Sequence, residues 1–133
     1  MRGEIKSAGL TLTPQSDDDL LLVEGYGNGG FKMRGSRIMG SMLVMPTGFF
    51  PIEATSIDEL TLGHLEKIFE AEYLPEILLI GTGERMTLLP ASLKADLKAK
   101  GIGFDPMDTG AAARTFNVLT MEARRVAAIL IAV

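Results

Sequence analysis

The chain has 133 residues, 47% apolar and 23% charged, with a formal net charge of −4 and no cysteine. Length and composition fit one globular domain with a real hydrophobic core, not a disordered chain. The acidic balance argues against nucleic-acid binding, and the missing cysteine excludes disulfides, a thiolate nucleophile and cysteine-based metal sites.

The start of the chain, Met1-Arg2-Gly3-Glu4-Ile5-Lys6, is too polar for a signal peptide. Residues 1–19 are expected to form a partly mobile N-terminal segment of a single domain over 1–133, with a turn at Asp17-Asp18-Asp19 before the apolar run Leu20–Val23. Phe31-Lys32-Met33-Arg34 alternates as a half-buried strand does, Gly35-Ser36 suits a hairpin turn, and Ile38–Met45 reads as the returning strand, ended by Pro46. The uncharged stretch Ile38–Ile52 contains Pro46 and Pro51 and is too short for a membrane helix, as is the apolar run Val126–Val133. No integral membrane segment is expected, and the default setting is the cytoplasm.

Ser56 and Glu59 have capping-box spacing, and Leu62, Leu65, Ile68 and Phe69 recur at helical spacing up to Pro75. Ile77–Ile80 reads as a fully buried strand. A second helix starts at Pro90, Leu93 and Leu97 form its inner edge, and Gly101 suits the position just past its end. Ile102–Phe104 is a short strand. Asp108 or Thr109 caps a third helix running to about Arg124, and Val126–Ala132 is a central strand. The fold class is therefore α/β: N-terminal β-hairpins followed by β-α-β-α-β on a mixed sheet.

Candidate chemistry is sparse. His64 is the only histidine and has no evident triad partner, so a serine nucleophile lacks its base and a metal site built from several imidazoles is impossible within one chain. Asp105 and Asp108 flank Pro106 and suit turn and capping roles better than acid–base work. Tyr26-Gly27-Asn28-Gly29-Gly30 precedes a strand, which suits a hairpin connection. Gly81-Thr82-Gly83 follows a buried strand, but Met86 stands where a dinucleotide fingerprint needs glycine. A tight turn or a small-anion site remains open there. On the third helix Arg114 and Asn117 can share a polar strip, with Thr115 a further candidate beside them, and Arg125 joins the strip if the helix runs that far. The strip either reads an anion or a partner carboxylate, or it pairs internally with Glu122 or loop carbonyls. No catalytic, cofactor or metal residue is assigned. The methionines Met33, Met39, Met42 and Met45 either fill core gaps or add to an exposed apolar patch.

The segments Leu79-Ile80-Gly81-Thr82-Gly83-Glu84, Leu89-Pro90, Met107-Asp108-Thr109, Arg114-Thr115-Phe116-Asn117-Val118-Leu119 and Glu122–Ala127 resemble a widespread family of small uncharacterised domains. That family includes assembly factor 3 of mitochondrial respiratory complex I. The resemblance implies a three-layer α/β fold, protein partners such as respiratory-complex subunits or assembly factors, and a place at the inner face of the cell membrane. It names no catalytic residue. Without a presequence the chain resembles the prokaryotic branch, and Ala113 stands where relatives often carry cysteine. A protein-interaction domain is the leading expectation. A small-molecule or anion-binding domain, even an enzyme, using the Gly81–Gly83 turn and the Arg114/Asn117 strip is the alternative.

Overall fold

The computed structural model describes residues 20–133, so the expectations for residues 1–19 lie outside the described part. Among the described residues eight strands and three α-helices follow one another as β1 (Gly25–Gly27), β2 (Gly30–Met33), β3 (Ser36–Met39), β4 (Ser41–Met45), β5 (Gly48–Ile52), α1 (Glu66–Glu70), β6 (Ile77–Gly81), α2 (Ala91–Ala99), β7 (Phe104–Met107), α3 (Thr109–Met121) and β8 (Val126–Leu130). Two 3₁₀ turns, Ile57–Glu59 and Leu62–Leu65, precede α1.

A five-stranded mixed sheet of order β5-β4-β8-β6-β7 forms the middle layer, with β4 antiparallel to β5 and β8, and β6 parallel to β7 and β8. Side chains alternate between its faces. Leu43, Leu78, Ile80 and Ile129 pack with Leu65, Ile68, Leu93 and Leu97 on one side. Met42, Val44, Leu79 and Leu130 pack with Phe31, Met33, Ala112 and Phe116 on the other. Both faces are covered, which is why β4, β6 and β8 read as continuous apolar runs and not as alternating ones. The crossovers β6-α2-β7 and β7-α3-β8 run in opposite directions across the sheet. A shared right-handed sense therefore sends α2 and α3 to opposite faces, as observed.

The small antiparallel sheet β1-β2-β3 lies beside α3 on the same face of the main sheet, so the N-terminal hairpin covers that sheet and does not extend it. Its turns fall at Asn28-Gly29 and Arg34-Gly35, where all four residues have positive φ, as type I′ turns require. The second turn is one residue earlier than Gly35-Ser36. The expected single strand Ile38–Met45 is two strands in different sheets. Gly40, at φ 91°, breaks it and directs Ser41 onward into the core. Of the four methionines, Met33, Met42 and Met45 fill the core, and Met39 is exposed.

Strand β5, which contains Pro51, is additional to the expected strands. It is an edge strand, as is β7 with Pro106, and proline is tolerated there because no ladder donor is needed on the open side. Strand β7 starts two residues later than Ile102. The helix expected from Ser56 is instead two 3₁₀ turns and the short α1, and Ser56 makes no side-chain cap. Thr55 takes Glu59 by donating its N–H at 2.8 Å, and the reciprocal cap belongs to Thr61 and His64, with Nδ1 accepting from the Thr61 N–H at 3.0 Å. Half-buried His64 is thus held by its own turn. Among the described residues no helix is long and apolar enough to cross a membrane.

Candidate functional site

The Gly81–Gly83 turn stands at the C-terminal end of β6, between β8 and β7, where the strand connections diverge. Open α/β sheets commonly bind ligands at this position. Here the start of α3 closes it. A Cβ on Gly81 would stand 2.8 Å from the Thr109 Cα, so only glycine lets the helix approach so near. Thr109 is fully buried; its hydroxyl donates to the Ile131 carbonyl at 2.8 Å and accepts from the Gly83 N–H at 3.0 Å. The Thr82 N–H donates to the Met107 carbonyl, and the Thr82 hydroxyl holds the following loop by donating to the Arg85 carbonyl and accepting from the Thr87 N–H. The amides of Thr82 and Gly83 are therefore engaged, with none directed at a small anion.

Helix α3 begins at Asp108, whose side chain accepts from the Ala111 N–H at 2.8 Å. The other candidate carboxylate, Asp105, is exposed on β7, so the pair is divided between a strand and a cap. Asn117 accepts from the Val23 N–H at 2.8 Å and donates to the Val23 carbonyl at 2.9 Å. It pairs with the segment before β1 as a neighbouring strand would. Asn117→Asp keeps the acceptor and loses the donor, and is expected to cost about 1–3 kcal/mol in urea denaturation. Arg114 donates to the Tyr26 hydroxyl at 2.7 Å, and the same tyrosine packs against Gly110. Thr115 is half-buried on the helix and Glu122 is exposed at its end.

The helix stops at Met121, not near Arg124, and this separates the strip. Ala123 takes φ 61°, the left-handed conformation that usually falls to glycine, while Ala123 and Arg124 donate their N–H groups back to Thr120 and Leu119. The chain turns off the helix axis before Arg125. Arg114 and Arg125 consequently do not share a helical face. Arg125 instead lies over the Tyr73 ring, 5.7 Å from its centroid, and Arg124 Nε bonds Glu76 at 2.9 Å.

Tyr73, Arg124 and Arg125 border a cleft of about 440 Å³ at the opposite end of the sheet, where β6 and β8 begin. Its walls are the Pro46-Thr47 turn, the Ala71–Pro75 loop and the end of α3, with Leu21, Met45 and Val126 supplying apolar surface. Thr120 also lines it. That residue was missed in the sequence, although it follows Phe116 by four positions and so falls on the buried stripe of α3.

The Arg124 guanidinium holds the Glu76 carboxyl below the usual carboxylate range, chiefly through their hydrogen bond. A lowered folded pKa means that this contribution is present above the unfolded value and is lost as pH falls through the folded one. Stability should therefore fall more steeply below about pH 4.5 in the parent than in Glu76→Gln, as read from melting temperatures across an acid series. Equal slopes would leave the pair without effect. The pair is exposed, so the difference is expected to be small.

Fold and site together define a three-layer α/β domain whose sheet end is closed by Thr109 and whose cleft lies at the other end. The chain belongs to the protein family of unknown function DUF498/DUF598, whose model matches residues 23–131. An uncharacterised protein of Rhodobacter capsulatus is 34% identical over 111 residues, covering 84% of each chain. The NADH dehydrogenase [ubiquinone] 1 alpha subcomplex assembly factor 3 of Xenopus tropicalis is 29% identical over 122 residues, covering 92% of this chain and 67% of that protein. The counterpart in Danio rerio is 32% identical, with 63% of its length covered, so this chain spans about two thirds of these animal relatives. A crystal structure described as an outer membrane protein from Bartonella henselae superposes with a TM-score of 0.76 at 40% identity, covering 84% of this chain and 94% of that one.

Proposed function

We propose that this domain is a non-catalytic binding protein that assists assembly of a respiratory NADH:quinone oxidoreductase by holding early subunits or another assembly factor. The observation that carries this reading is the match to assembly factor 3, which extends over 92% of the chain. The polar groups of the Arg-Thr-Phe-Asn-Val-Leu block support it. Asn117 and Arg114 are engaged with Val23 and Tyr26, so the segment that marks the family builds the domain without forming a reactive constellation.

Val118 and Met121 stand three residues apart on α3, each about half exposed at 49% and 51%. Neighbours at that spacing share a helix face, and exposed apolar pairs of this kind suit protein contact better than solvent. The test is affinity capture of the tagged protein from its own cells, solubilised in mild detergent. Recovery of complex I subunits or assembly proteins, reduced in a Val118→Glu/Met121→Glu variant that still folds, is the expected result. Recovery of none of them would count decisively against the assignment.

A further inference from the structure

The cleft where β6 and β8 begin contains a group that the fold itself leaves unused. Thr120 is 5% exposed and lines the cleft, and its hydroxyl has no hydrogen-bond partner among the described residues. A helical threonine commonly donates to the carbonyl four residues back, so a buried orphan hydroxyl is a cost that calls for a cause. Beside it, Ala123 accepts a left-handed conformation that glycine would take without strain. That turn directs Arg124 and Arg125 to the cleft rim, where Glu76 and the Tyr73 ring hold them.

Most of the remaining lining is apolar, with Leu21, Met45, Pro46, Pro75 and Val126 among its members, and Thr47 and Glu72 are its other polar residues. A volume of about 440 Å³ is in the range of small-ligand sites, which combine apolar walls with a few converging polar groups. The Arg125 guanidinium and the Thr120 hydroxyl select an oxyanion, Arg124 being paired with Glu76, whereas the walls select a hydrocarbon body. Glu72, also on the rim, repels each negative charge a ligand carries, which favours one carboxylate over two.

We propose that this cleft binds a small amphiphilic monocarboxylate, with its apolar body against Met45 and Val126 and its carboxylate reaching Arg125 and the Thr120 hydroxyl. This goes beyond the assembly reading and does not depend on it, because the cleft lies on other residues than the Val118/Met121 face.

The experiment titrates the full chain with octanoate, below its micelle concentration, and in parallel with 1-octanol, following backbone amides by NMR. Octanoate should give saturable shifts at Thr47, Thr120, Ala123 and Val126, and octanol should bind about tenfold more weakly, as the loss of one charge-assisted contact implies. Arg125→Gln, a change at an exposed residue, should weaken octanoate about tenfold and leave octanol unchanged. Thr120→Val should weaken octanoate about threefold while leaving the melting temperature unchanged or higher, since it removes an unpaired buried hydroxyl. Absence of saturable shifts at these amides overturns the proposal. So does octanol binding as tightly as octanoate, or Thr120→Val lowering the melting temperature, which would mean that the hydroxyl already has a structural partner.

Discussion

Thr109→Val is expected to lower stability by about 2–4 kcal/mol, although the two side chains have nearly the same shape. The threonine hydroxyl is the shared partner of the Gly83 N–H and the Ile131 carbonyl, and Thr109 is wholly buried. Valine fills the space and leaves both backbone groups unpaired away from water, each at a cost of about 1–3 kcal/mol. Thr109→Ser keeps the hydroxyl and should lose about 1 kcal/mol. Urea denaturation of the two variants is the direct comparison. A valine variant as stable as the serine one would show that the hydroxyl does not join α3 to the ends of β6 and β8.

Gly81→Ala should cost about 2–3 kcal/mol through overpacking. The added methyl meets the Thr109 Cα at 2.8 Å and the Ala112 side chain at 3.1 Å, and helix backbone cannot step aside as the tip of a flexible side chain does. For a chain of this length the melting temperature should fall by about 10 °C. Gly83→Ala is a useful contrast: nothing stands within 4 Å of its added methyl, and its penalty comes from φ 123° alone. Gly81 and Thr109 touch, so the double variant should lose less than the sum of the two. A mild Gly81→Ala would mean that α3 can retreat from the sheet, reopening the strand end to a ligand.

Together these two residues explain why the Gly81-Thr82-Gly83 turn looks like a binding loop in the sequence. Glycines after a buried strand indicate that something approaches the backbone closely. Here the approaching group is the chain's own helix, and local spacing cannot distinguish a helix from a phosphate. The apolar runs of β6 and β8, the Asp108 cap of α3 and the glycine at 101 past the end of α2 are legible because they depend on neighbours within a few residues. The division of Ile38–Met45 at Gly40 is not, since either half alternates or packs acceptably by itself. The sheet partner that decides it, β8, lies some ninety residues away.

Candidate polar residues divide the same way. Arg114, Thr115, Asn117, Glu122 and Arg125 stood out because polar groups near an apolar helix need partners, and that need is visible in one dimension. Which partner each takes is not. Asn117 pairs with a backbone segment 94 positions earlier, and Arg114 with a tyrosine 88 positions earlier. The separation of Arg125 from Arg114 turns on a left-handed alanine, a conformation that alanine rarely advertises.

Composition and periodicity alone thus settled the class of the domain, the helix–strand order of its second half and the absence of cysteine chemistry. Those properties follow from residue type and short-range spacing. Folding in three dimensions decided that α3 closes the usual ligand end of the sheet and that a cleft opens at the other. Closure and opening both depend on contacts between elements far apart in the chain, where a gap of one methyl group determines whether two surfaces meet.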